Sequence, residues 1–113
     1  VQPLPIYRIK QDKFVENKEN HKVSWPNFEI EILEKREEFS FCKVIHTNQM
    51  LWIKNEFIYL KNKHFYCLDD YIDHFITVHE NEDVKVIGLY GKFAYIIKNK
   101  EIGWIESGYL EKI

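Results

Sequence analysis

Cysteine is scarce in this chain: Cys42 and Cys67 are the only two, and neither sits in a CxxC spacing. That excludes a dense disulfide scaffold and leaves either one disulfide or, as the favoured reading, two buried free thiols. Long apolar runs are missing as well, so no segment reads as a membrane-spanning helix. Charge of one sign never accumulates: sixteen basic residues are dispersed among eighteen acidic ones, for a formal charge of −2. A phosphate backbone would find no basic face here, so nucleic acid is not an expected partner. A basic amphipathic helix suited to a membrane surface is also lacking. No glycine-rich phosphate loop, P-loop lysine or serine elbow appears, and no cofactor is implied.

What is present is a composition able to fold. Of the 113 residues 45% are hydrophobic and 16% aromatic, enough for a buried core, while 30% are charged and can solvate the exterior. The chain starts at Val1 rather than Met, which is read as slight support for processing and export.

The chain also repeats itself. FSFCKVIHTNQMLWIKNEFIYL in the first half answers FAYIIKNKEIGWIESGYL in the second. A shift of 52 pairs Phe41 with Phe93, Val44 with Ile96, Ile45 with Ile97, Trp52 with Trp104, Ile53 with Ile105, Phe57 with Tyr109 and Ile58 with Leu110. A period of about 50 residues makes each copy one supersecondary unit or one small barrel. Ile30 and Ile32 match Val84 and Val86 only at a shift of 54, which predicts that the turn after that strand is two residues longer in the first copy.

The segment from Leu4 to about Asn20 opens beside Pro3 and Pro5 and closes in the polar run ENKENHK, read as an exposed loop. Phe28, Ile30 and Ile32 alternate with Glu29 and Glu31, the period of a strand with one dry face. A helix through EILEKREEF is the rival, but the matching DVKVIGLYGKF carries β-branched residues and two glycines that favour strands. FSFCKVI and LWIKNEFIYL follow as strands around an HTNQM hairpin loop, and KNKH at 61–64 is read as the junction between copies. FYCLDDYIDHFITVHENED is read as a long ordered loop before VKVIGLY, FAYIIK and EIGWIES repeat the run.

YGKFAYIIKNKEIGWIESGYL resembles the bacterial Src-homology-3 signature, with its aromatic residue, β-branched residue, turn, Gly-Trp and closing Tyr-Leu. LPIYRIKQDKF, VSW before FEIEILEK, and FCKVI before LWI follow the order of elements in tandem bacterial Src-homology-3-like proteins of the alphaproteobacterial type. The resemblance implies an all-β fold of two small barrels packed together, residues 1–60 and 61–113. It further implies non-catalytic binding in the cell envelope, of peptidoglycan stem peptides or of a partner protein, and a periplasmic or otherwise exported location.

In that resemblance Phe93 and Tyr109, with Phe41 and Phe57 as first-copy partners, flank a peptide groove, and Tyr90 lies near the second-copy pair. Flat rings there contact an extended peptide with little loss of rotamer entropy. Trp25, just before the first core strand, is a further ligand-contact candidate or a cap on a barrel end. Trp52 and Trp104 are read as packing residues, and Gly103 as clearance for a bulge or a close strand crossing.

Two chemical constellations are weighed against plainer readings. His74 and His79 are five apart, which suits neither a helical metal pair nor one face of a strand, so the acidic DDYIDHFITVHE is read as a solvated loop without metal. Cys42 with His46, or Cys67 with His64, lacks a third catalytic group, so no enzyme is expected. The competing class is structural: the aromatics serve as buried packing between the barrels or against a partner.

Overall fold

The computed structural model describes residues 3–16 and 21–113. Among these the chain runs β1 (Ile6–Ile9), β2 (His21–Val23), β3 (Phe28–Glu34), β4 (Phe39–Val44), β5 (Met50–Lys54), β6 (Ile58–Lys61), β7 (His64–Cys67), β8 (Tyr71–Asp73), β9 (Asp83–Tyr90), β10 (Phe93–Lys98), β11 (Glu101–Glu106) and β12 (Leu110–Lys112). Single 3-10 turns, Asn55–Phe57 and Ser107–Tyr109, precede β6 and β12. The molecule is all-β, with no α-helix among the described residues, and none of its helical turns is long and apolar enough to cross a membrane. The stretch 28–34 is strand, as its alternation predicts; the polar run's residues 17–20 lie outside the described residues.

Two five-stranded sheets have the orders β5-β4-β3-β7-β6 and β11-β10-β9-β1-β12, and β2 pairs with β8 apart from them. All pairings in these sheets are antiparallel. Neither five-stranded sheet closes on itself, since its two end strands are not paired with each other. The expected closed barrels are thus open sheets whose edges are capped locally. Along β5 the Trp52 N–H donates to Asp73 Oδ2 at 2.6 Å and the Lys54 N–H to the Tyr71 hydroxyl at 2.9 Å. Along β11 the Trp104 N–H donates to the His74 carbonyl at 2.8 Å, and the Ile76 N–H to the Trp104 carbonyl at 3.0 Å. Such partners satisfy edge groups that would otherwise invite another strand.

Position for position the two sheets are the same object. Ile32 faces Cys42 as Val86 faces Ile96, and each first hairpin then slips by one residue before Glu34 meets Phe41 and Gly88 meets Tyr95. Phe41 faces Trp52 as Tyr95 faces Trp104. The Asn55 N–H donates to the Glu38 carbonyl as the Ser107 N–H does to that of Lys92. These registers place the two-residue difference in the connection between β4 and β5, where 44–49 answers 98–101, rather than in the turn before β4. Phe41 therefore matches Tyr95, not Phe93. A shift of two keeps every side chain on its face, so the alternation of a strand cannot reveal it.

The equivalence exposes a reciprocal exchange. The position between β3 and β6 is filled by β7 in one sheet, and the matching position between β9 and β12 by β1 in the other. Ile58 faces Cys67 as Leu110 faces Ile9, so β1 and β7 are matching first strands, each built into the sheet of the other half. The expected division into residues 1–60 and 61–113 is corrected accordingly. The two compact units are 20–73, continuous in sequence, and 1–19 with 74–113, a split unit. The supposed junction at 61–64 is the turn of the β6–β7 hairpin, where Lys61 pairs with His64 and Asn62 and Lys63 adopt the left-handed conformation that tight hairpins need. Both first strands offer one fully buried residue, Ile9 or Cys67, at the same register, so backbone pairing alone does not dictate which half supplies the strand.

The split unit's core gathers Ile9, Ile76, Val78, Val84, Val86, Ala94, Ile96 and Ile105, with Tyr7, Tyr109 and Leu110 packed on it. In the continuous unit the equivalent positions are Cys67, Ile30, Ile32, Ser40, Cys42 and Ile53, and all but Ile32 are buried. Burying each large aliphatic side chain contributes roughly 1.5–3 kcal/mol. Both cysteines are free and stand where the other unit has isoleucine, so they serve as small apolar side chains.

Candidate functional site

In the split unit the residues that follow β1 fold back along the 3-10 turn before β12. Lys13 pairs with Val78 in an isolated bridge, which fixes its backbone and directs its side chain to two neighbours. Its ammonium lies 3.7 Å from Glu106 Oε1 and 5.6 Å from the centre of the Tyr109 ring. Glu106 is opposite Phe93 across β10 and β11. Phe93 meets Phe75 edge to face at 5.9 Å. Lys13, Glu106, Phe93 and Tyr109 thus form one strip of rings and opposite charges, and both rings are partly exposed. The Lys13–Glu106 pair is open to water on both partners, so it contributes at most about 1 kcal/mol and yields readily to a charged ligand.

The other sequence candidates fall elsewhere. Tyr90 faces Phe93 in the hairpin, but its ring lies over Gly88 and meets Trp104 edge to face at 5.7 Å. Trp104 is fully buried and stacks on Tyr95 at 4.5 Å, as a packing residue should. Trp25 is 39% exposed and meets Phe28 and His46 edge to face at 6.1 and 6.2 Å. Phe41 lies 5.0 Å from the Trp52 ring, over which Arg36 stands at 5.2 Å.

Phe57 is the correction that matters most. It occupies the Tyr109 position of the continuous unit, yet it is buried at 6% exposure rather than open like Tyr109. Tyr71 stands where Lys13 stands in the split unit, and its ring meets Phe57 edge to face at 5.3 Å. Lys54 stands where Glu106 stands. Its ammonium is buried between Glu38 Oε2 at 2.9 Å and Glu56 Oε1 at 2.8 Å, also takes the Glu38 carbonyl at 3.2 Å, and lies 5.5 Å from the Phe39 ring centre. Burial draws the Lys54 pKa down, but hydrogen bonds to Glu56 and Glu38 outweigh it and hold the ammonium above its ordinary value. In the split unit Tyr109 and the ion pair are open; in the continuous unit Phe57 and Lys54 are buried beside Tyr71, while Phe39, which answers Phe93, stays partly exposed.

Sequence reasoning missed Lys13, Glu106 and Tyr71. Lys13 falls in the stretch read as an opening loop, and its equivalence to Tyr71 is visible only after the first strands are traded. The acidic loop is also corrected: Tyr71, His74, Ile76 and Val78 of that stretch are buried. His74 Nε2 meets Glu101 Oε2 at 2.9 Å, because the segment packs against β11 rather than standing in water.

The thiols do not meet the histidines near them in sequence. Cys42 donates to the Ser40 carbonyl at 3.5 Å and Cys67 to the Asp69 carbonyl at 3.4 Å. Burial pushes each thiol up to about 12, far from the thiolate that nucleophilic chemistry uses. His46 packs on Trp25, and His64 pairs with Glu29 at 3.0 Å. Among the described residues no group of three His, Cys, Asp or Glu side chains is placed to hold a metal. Comparison with protein-family models, curated proteins and solved structures finds no match.

Proposed function

We propose that the chain is a non-catalytic binding module of the bacterial cell envelope, exported to the periplasm or beyond, that holds an extended peptide along the Lys13–Glu106–Phe93–Tyr109 strip. The single observation that carries this reading is the contrast between units. At equivalent positions the split unit leaves the Tyr109 ring and an ion pair accessible, while the continuous unit buries Phe57 against Tyr71 and buries Lys54; Phe39, which answers Phe93, is partly exposed as Phe93 is. The other unit buries the ring equivalent to Tyr109, so an accessible Tyr109 beside an ion pair favours a ligand.

A tandem Src-homology-3-like architecture is the fold reading that goes with it. It is supported by two equal five-stranded orders, each with a 3-10 turn before its last strand. The ligand class we favour is a peptidoglycan stem peptide, whose extended backbone and alternating charged groups suit aromatic contacts beside one cation and one anion. Retention of the chain on purified peptidoglycan tests this. Wild type should be retained and Phe93→Ala plus Tyr109→Ala should lose about tenfold or more; equal retention of both, or of neither, rejects the strip.

A second reading is favoured by burial itself. Trp104, Tyr95 and Phe57 are all under 8% exposed, as in a structural or protein-interaction subunit whose aromatics serve as packing. In that case alanine at Phe93 and Tyr109 would lower thermal stability and leave peptidoglycan retention untouched.

A further inference from the structure

The β6–β7 hairpin of the continuous unit carries a second aromatic feature. Tyr59 and Tyr66 sit directly opposite each other, and their rings stack at 5.5 Å with an interplanar angle of 23°. The Tyr59 hydroxyl donates to Asn27 Oδ1 at 2.8 Å. Asn27, Tyr59, Lys61, Asn62 and Tyr66 line a surface cavity of about 430 Å³.

The other unit shows what the fold itself requires at this place. There the pair opposite each other is Glu111 and Arg8, with Arg8 also 3.6 Å from Asp83, and Asn81 takes the place of Asn27. Asn27 and Asn81 share the left-handed conformation, at φ 55° and 70°. The backbone thus accepts two exposed charged side chains where the continuous unit has two half-buried rings. Stacked tyrosines are an addition to the fold, and the lining around them is polar: two carboxamides and an ammonium, with no carboxylate.

We propose that this cavity binds an N-acetylated amino sugar, with the C–H face of the pyranose on the tyrosine pair. A sugar ring offers one apolar face and a rim of hydrogen-bonding groups, the same division that a ring platform edged by amides presents. The acetamido group carries one donor and one acceptor, which a carboxamide complements with both of its ends. Asn27 keeps its amide nitrogen for this purpose, since only its oxygen is engaged by Tyr59. Lys61 adds donors at the same rim. The site lies on different residues from the strip and does not depend on it.

Titration of the full chain with chitotetraose and with cellotetraose, followed by backbone amide NMR and calorimetry, tests the proposal. Chitotetraose should bind at least tenfold more tightly than cellotetraose and shift the amides of Asn27, Tyr59, Asn62 and Tyr66. Tyr59→Glu with Tyr66→Arg, which installs the charge pair of the other unit, should lower affinity tenfold or more. Asn27→Gly with Asn62→Gly preserves both left-handed turns and should remove the preference for the acetylated sugar. Phe93→Ala should leave chitotetraose binding unchanged, so loss of the peptide strip and loss of the sugar site are separate results. Failure of wild type to bind chitotetraose, equal affinity for the two tetramers, or binding that survives both double variants would each overturn the proposal.

Discussion

Gly103 shows how one missing methyl group sets the packing of an edge. A Cβ built there would stand 2.6 Å from the His74 carbonyl oxygen and 2.7 Å from Ile76 Cγ1. The carbonyl belongs to the backbone that caps β11, so it cannot turn aside as a side chain would. Gly103→Ala should therefore cost about 1–3 kcal/mol, read as a lowered midpoint in urea. Glu82 supplies a pH dependence. Burial pushes its carboxyl up, yet the His79 N–H at 2.6 Å and the Lys98 ammonium at 3.0 Å hold it below its ordinary value. A depressed carboxylate contributes stability that is complete above the unfolded value, about 4.3, and is lost as pH falls through the lower folded value. Wild type should lose stability along that acid limb in urea titrations, and Glu82→Gln should lose less of it.

At the scale of elements, alternation made most strands legible. Buried residues recur at every second position, Phe28 and Ile30 in β3, Cys42 and Val44 in β4, and Val84 and Val86 in β9. β1 was not legible, because four residues beside Pro3 and Pro5 resemble an extended loop until a sheet pairs them on both sides. The site was read in part for the same reason. Phe93 and Tyr109 are what the resemblance implies, whereas Lys13 reaches Tyr109 only through the bridge to Val78. The unequal hairpins make a direct test. Replacing the five residues 45–49 with the three residues 99–101 of the other unit, which keeps the buried Val44, should preserve the fold, since the flanking registers coincide. Closing a somewhat shorter loop changes stability by under about 1 kcal/mol. A cooperative urea transition with its midpoint little changed is the expected result, and a broad, non-cooperative one would contradict the registers.

For the whole molecule the exchange of β1 and β7 has the largest consequence. Each sheet contains one strand from the other half of the sequence, held by neighbours on both sides. A protease site inserted between Asn62 and Lys63, in the exposed hairpin turn, would let the folded chain be cut into two pieces. The pieces should co-elute from a sizing column in native buffer and separate only in denaturant. Two independent barrels divided at 60 and 61 would instead have no shared sheet to hold the pieces together.

The amino-acid order by itself determined the all-β character and the duplication, because a two-residue period and a recurring pattern of apolar side chains are local properties of the chain. Only the tertiary structure decided which first strand enters which sheet, and which copy keeps the ring before its last strand accessible. Both depend on partners far apart in sequence: Ile9 and Cys67 suit either register, and Lys13 differs from Tyr71 in consequence only once each has met its neighbours.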